Sequence, residues 1–288
     1  MNTIPIERPR TDSAASVRTL SRIPHIHEWP NTTNESVATR LAIVDVETDG
    51  LDPSRDNVIQ IAVALVDVSQ DGRILRVVDH GTALADPGRQ IPPRIAKLTG
   101  IDNVAVRGKR IRHAALTKFI CQADVVLAHN AGFDAGFCRR LLPGIEHLPW
   151  ICSFRDVDWL GHGFDGAKLG HLLMQQGLFA PTAHDAIADV EALLALLDSE
   201  LPTGETVLAE AMRTAQVPTV RIFAERAPYE TRHELKRFGY RWNPVKKVWW
   251  TEVAKADVHA ELALLLRIAP DARPVQQTMT WHTRHGQD

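Results

Sequence analysis

Leu41-Ala42-Ile43-Val44 is a run of four apolar residues that ends in Asp45-Val46-Glu47. So short a run, rich in branched side chains, reads as a strand within Arg40–Val46 that is buried on both faces, and the rest of the chain must be built around it. Asn57–Val68 is a second β-rich stretch and Arg73–Thr82 a third, with a Gln70-Asp71-Gly72 turn between them that predicts a hairpin. The pattern then changes. Pro92-Pro93 opens a short helix over Arg94–Leu98 closed by Gly100, and Arg107–Cys121 also reads as helix. Val125–Ala128 is a short apolar strand, Ala131–Leu142 a helix stopped by Pro143-Gly144, and Trp150–Ser153 a further strand. Helices are expected again at Lys168–Gln176 and Thr182–Leu197. Three strands followed by strands that alternate with helices imply an α/β fold, a mixed five-stranded sheet flanked by helices.

This domain is expected over residues 38–200. Residues 1–37 are rich in Ser, Thr, Arg, Pro and Asn without periodicity and read as a flexible arm. Residues 201–218, with Pro202, Gly204 and Pro218, read as a linker. A small α+β module is expected over 219–270: a strand at Thr219–Ala224, a helix at Tyr229–Phe238, short strands at Tyr240–Asn243 and Lys247–Val253, and a helix at Ala254–Arg267. Residues 271–288 read as a tail.

The net charge of −2 looks unpromising for a protein that handles nucleic acid, but it hides an asymmetry. Val220 to Trp250 holds eight Lys/Arg against three Glu, a local charge of +5 that leaves −7 elsewhere. Within it Arg232, Lys236, Arg237, Arg241, Lys246 and Lys247 are candidate nucleic-acid contacts. Tyr240, Trp242 and Trp250 are expected instead as the core of a domain with few other large residues to bury. No apolar stretch suits a bilayer, and the three cysteines lack C-x-x-C spacing, so no membrane partner and a reducing cytoplasm are expected.

Three distant segments carry the chemistry: Asp45-Val46-Glu47, Asn130-Ala131-Gly132-Phe133-Asp134 and His184-Asp185-Ala186-Ile187-Ala188-Asp189. Asp45 and Glu47 point to one side of a strand, where two carboxylates repel unless a cation lies between them. Asp134 falls in the first turn of a helix, where the macrodipole tolerates an anion. Thr182-x-x-Asp185 looks like a capping box, so the last helix is expected to begin at Thr182. Asp189 would then share a row with Ala186, Leu193 and Leu196, and His184 would sit ~140° away, facing water or substrate. Acids in this number suit a pair of divalent cations, the usual means of cutting a phosphodiester.

Together, Asp45, Glu47, Asp134 and Asp189 with His184 resemble the signature of the DnaQ-like DEDDh 3′–5′ exonucleases, over about Arg40 to Leu197. Thr48, Gly50, Asn130, Phe133 and Ala186 extend the resemblance; Gln60 departs from it, many relatives having Glu there. The resemblance implies a ribonuclease H-like fold and two Mg²⁺ or Mn²⁺ ions on the four acids, with Asp45 bridging and His184 as general base. It implies Thr48, Gly50 and Leu51 against the terminal nucleotide, with Asn130 and Phe133 beside it. The expected partner is nucleic acid with a free 3′ end, single-stranded DNA favoured, and the products are nucleoside 5′-monophosphates. An exoribonuclease and a polymerase-associated proofreading subunit are the alternatives, and the sequence leaves monomer or homodimer open.

Overall fold

The computed structural model describes residues 18–32 and 34–285; residues 1–17 of the expected arm lie outside these. In chain order the first part runs β1 (Ser21–Arg22), β2 (Thr39–Thr48), β3 (Val58–Val68), β4 (Ile74–Leu84), α1 (Pro93–Thr99), α2 (Asn103–Val106), α3 (His113–Ile120), β5 (Val125–Ala128) and α4 (Ala131–Leu141). It continues through β6 (Trp150–Cys152), α5 (Leu169–Gln175), β7 (Leu178–Phe179), α6 (Ala186–Asp198) and α7 (Val207–Ala215). The second part is β8 (Thr219–Glu225), α8 (Arg232–Arg237), β9 (Arg241–Asn243), β10 (Val248–Ala254), α9 (Val258–Ile268) and β11 (Arg273–Met279).

The mixed sheet has the order β4-β3-β2-β5-β6. The hairpin makes β3 antiparallel to both β2 and β4, whereas β5 and β6 run parallel to β2 and each other, as crossover helices require. Alternation along β2 feeds two cores. Leu41 and Ile43 pack under α5, α6 and α7 with Leu172, Leu193 and Leu208. Ala42, Val44 and Val46 face the other way, against Ile120, Phe137 and Trp150. The strand bearing the first two acids is thus clamped on both sides. Among the described residues no helix is long and apolar enough to cross a membrane.

Several boundaries differ from those expected. Ser21–Arg22 of the expected arm pairs with β7, and Ile23 and Ile26 sink into the main core at 4% exposure each. The expected linker contains α7, whose Val207, Leu208, Ala211 and Ala215 are fully buried behind the Thr206 cap. The helix expected from Arg107 begins only at His113. β11 joins the second sheet, which therefore runs past residue 270 into the expected tail.

The second sheet has the order β11-β8-β10-β9 and is antiparallel throughout. α8 and α9 cover one face through Leu235 and Leu265, packed on Val220, Ile222, Ala224 and Tyr240. Tyr240 is core as expected. Trp242 is not, with 48% of its surface exposed, and Trp250 is only half-buried, on the sheet face away from the helices. Trp249, one residue earlier, packs against the core instead.

Residues after β11 return to the first domain. The Trp150 N–H donates to the Trp281 carbonyl at 2.9 Å, and the Arg139 guanidinium donates to the His285 carbonyl at 2.6 Å. Arg284, buried between the two parts, lies 3.6 Å from Asp156 of the first and 3.1 Å from Glu252 of the second. It also donates to the carbonyls of Ala215 and Val217 at 3.1 and 2.7 Å.

Candidate active site

β2 ends at the middle of the sheet edge from which α4 and α6 begin, and this brings the three acidic segments together. Glu47, His184 and Asp189 offer ligand atoms all within 4.8 Å of one another, close enough to hold one metal ion. Asp45 and Asp134 adjoin this group without belonging to it. Asp134 is buried in the opening turn of α4, where it accepts a hydrogen bond from the Val46 N–H at 3.3 Å, which locks it to β2 between the first two acids.

The electrostatics are those of anions crowded out of water. Burial, then the charges of Asp134, Asp189 and Glu47, hold the Asp45 carboxyl well above the usual carboxylate range. Burial and then Asp189, Asp134 and Asp185 push Glu47 up to about 7. Burial raises Asp134 to about 7 against the Val46 hydrogen bond. Asp189 is raised too, mainly by burial, opposed by a hydrogen bond from the His184 backbone. The largest neighbouring charges acting on Asp45 and Glu47 are all other carboxylates.

α6 begins four residues later than its capping-box pattern suggested. The cap is Asp185, whose carboxylate accepts from Ile187 and Ala188. His184 lies outside the helix in the left-handed region, with φ of 60°, and its N–H donates to Asp189 at 3.0 Å. The expected ~140° separation on a helix therefore does not hold. A non-glycine residue in this conformation stores strain, and here the strain turns His184 toward Glu47 and Asp189. Gln60, paired with Glu47 across the sheet, holds the start of α6: its carbonyl accepts from Ala186 at 3.1 Å and its amide donates to Asp185 at 3.4 Å. A glutamate could make only the first of these contacts.

The remaining sequence candidates divide by place. Thr48 is buried and donates to the Gly50 carbonyl at 2.5 Å, shaping the turn after β2. A side chain at Gly50 would collide with Asp56, its Cβ falling 2.1 Å from a carboxylate oxygen. Arg89 clasps Asp49 and Asp56 and pins this loop, which leaves Leu51 73% exposed at its tip. Asn130 stands at the N-cap position of α4 without a side-chain capping bond and is exposed; Phe133 is half-buried against Phe137, 4.9 Å between ring centroids. His129 is structural: Nε2 donates to the Ala167 carbonyl at 2.8 Å and Nδ1 meets the Ser153 hydroxyl at 2.9 Å.

The basic candidates do not form one surface. Arg232, Lys236 and Arg237 sit on α8, beyond the module's sheet, with Arg232 stacked on Tyr229. Lys246 and Lys247 occupy the turn between β9 and β10. Only Arg241 faces the first domain, lining a cavity of about 810 Å³ that reaches Asn130 and Phe133. Arg155, Arg284 and His285 line it too and were missed, since nothing in their local sequence sets them apart.

Comparison with known proteins agrees with this geometry. The family model for RNase_T exonucleases matches residues 42–197, more than half the chain. A PolC-type DNA polymerase III of Thermotoga petrophila is 34% identical over 117 residues, 40% of this chain and 8% of that one. The 3′–5′ exonuclease DinG of Bacillus subtilis is 30% identical over 159 residues, 53% of this chain and 16% of its own. The chain thus spans less than a fifth of these relatives. The zinc-bound complex of Escherichia coli ExoI with single-stranded DNA shares the fold at 20% identity and a TM-score of 0.50, over 64% of this chain and 48% of that one. The chain belongs to the RNase_T exonuclease family, within the DnaQ-like superfamily that its four acids and histidine resemble.

Proposed function

We propose that this protein is a metal-dependent 3′–5′ exonuclease that releases nucleoside 5′-monophosphates from DNA, in repair or end trimming. The observation that carries the reading is the meeting of Glu47, His184 and Asp189 within 4.8 Å, beside Asp45 and Asp134, from three segments of a family-matched domain.

The donor set suits divalent cations. Four carboxylates are hard oxygen ligands, and burial together with the other acids raises Asp45 and Glu47, a repulsion that bound cations would relieve. Asp45, Glu47, Asp134 and Asp189 would hold two Mg²⁺ or Mn²⁺ ions, which activate a water and neutralise charge on the attacking and leaving oxygens. His184 takes the proton of the attacking water as its oxygen bonds to phosphorus. The bond from phosphorus to the 3′ oxygen of the preceding nucleotide breaks, and that oxygen takes a proton from solvent to become the strand's new 3′ hydroxyl. The Asp189 contact and the left-handed backbone aim the imidazole. Thr48 and Gly50 shape the loop that presents Leu51 as an apolar wedge against the last base. Asn130 and Phe133 flank the same nucleotide.

The test of substrate is a rate comparison on DNA and RNA strands of matched sequence, with the products separated by chromatography. Faster release of deoxynucleoside 5′-monophosphates supports the reading. Faster attack on RNA replaces it with the exoribonuclease, and activity seen only with an added polymerase replaces it with a proofreading subunit.

A further inference from the structure

We propose that the cavity between the first domain and the open face of the second sheet is the track along which the single strand behind the 3′ end is held. This rests on the nuclease reading above and adds to it where the rest of the substrate goes. The cavity, about 810 Å³, is lined at one end by Asn130, Gly132 and Phe133, the opening turn of the helix that carries Asp134. The mouth of the cavity is thus one helical turn from Asp134, on the element that carries the third acid.

The lining is cationic in a specific way. It contains five arginines and two acids. Both acids are already engaged: Asp156 by Arg284, and Glu252 by Arg284 and Arg221, each pair at 3.1–3.6 Å. Arg213 pairs with Glu205. Arg155 and Arg241 remain, one from each part of the molecule, and among the described residues neither has an ion-pair partner. Arg241 is instead laid against Trp250, 5.4 Å from the ring centroid, with Arg221 also on that ring at 4.5 Å. The indole is thus a platform that orients guanidinium groups rather than a free face for a base. Burial, and next the charge of Arg155, hold Arg241 below its ordinary range, and Glu252, already shared by Arg284 and Arg221, offsets this only in part.

A second observation points the same way. His285 lines the cavity at 7% exposure, and its Nε2 has no hydrogen-bond partner among the described residues. Guanidinium groups on opposite walls and an unpartnered imidazole nitrogen are the chemistry that takes successive backbone phosphates, without reading sequence.

The test is the dependence of KM on the length of thymidine oligonucleotides, from two to about twelve residues, in Mg²⁺, for the full chain. Wild-type KM should fall as the strand lengthens into the cavity. In Arg155→Ala/Arg241→Ala the KM for the long strand should rise about tenfold, and the salt slope of log KM should drop by about 1.4, as expected for two lost phosphate contacts. Arg155 is exposed and Arg241 gives up only its stack on Trp250, so the melting temperature should change little. Lys97→Ala/Lys118→Ala, equal in charge but on α1 and α3, should keep the wild-type length dependence. If the cavity variant keeps the wild-type length dependence and salt slope, the track is elsewhere. A wild-type protein that shortens no length contradicts the nuclease reading itself.

Discussion

Replacing Glu47 by glutamine should stabilise this protein at alkaline pH. Glu47 is pushed from 4.5 up to about 7 by burial and by Asp189, Asp134 and Asp185, so the folded chain holds that proton to higher pH than the unfolded chain does. The stability this contributes is complete below about pH 4.5 and is lost as pH rises through 7, where the folded state carries an ionised, crowded carboxylate. A difference of two to three pH units corresponds to about 3–4 kcal/mol. Glu47 keeps part of its surface in water, and screening there brings the expected gain to about 2 kcal/mol, or about 4–8 °C in Tm. The assay is a pair of thermal melts in EDTA at about pH 8.5 and about pH 4. The glutamine variant should melt higher by that amount at alkaline pH and equally at acid pH, and millimolar Mg²⁺ should raise wild type toward it. A variant that melts no higher than wild type in EDTA at pH 8.5 would refute the claim that these carboxylates repel.

His184→Ala should lower kcat by about 10²–10⁴-fold while the Mg²⁺-dependent rise in Tm persists, because the four acids remain; an unchanged kcat in a rate assay rejects the general-base role. Arg284→Ala leaves Asp156 and Glu252 without their shared guanidinium and should cost about 3–5 kcal/mol in urea unfolding. Gln60→Glu gives up the donor to Asp185 and sets a third acid beside Glu47 and Asp185, so its urea midpoint near pH 8 should correspond to a loss of about 1–2 kcal/mol.

What could be read from the chain follows from how each element announces itself. β2 to β4 are apolar runs parted by a turn, and β5, α4 and β6 alternate in the way a parallel addition demands, so the central sheet was legible. Asp45, Glu47, Asp134 and Asp189 each suit a strand end or a first helical turn when taken singly, and only their combination with His184 resembles the family signature and marks them as a candidate site. Ile23 and Ile26 were not: two lone apolar residues have no period, and only the completed core shows the space they fill. α7 carried a usable signal, a Thr206 cap before Val207, Leu208, Ala211 and Ala215, obscured by Pro202 and Gly204. The start of α6 was misplaced because Thr182 and Asp185 both suit a cap, and the turn of backbone at His184 decides between them. In the basic module the density of cations was plain, but not which of them share a face. That depends on the register pairing Arg241 with Trp250 and Arg221 with Glu252, which no local pattern encodes.

The most direct test is a time course on a 5′-labelled single-stranded DNA, with wild type and Asp45→Asn, in Mg²⁺ and in EDTA. Wild type in Mg²⁺ should produce a ladder that shortens one nucleotide at a time from the 3′ end, and EDTA or Asp45→Asn should abolish it. A ladder that persists in EDTA or in Asp45→Asn, or a single internal cut in place of a ladder, would contradict a metal-dependent 3′–5′ exonuclease built on these acids.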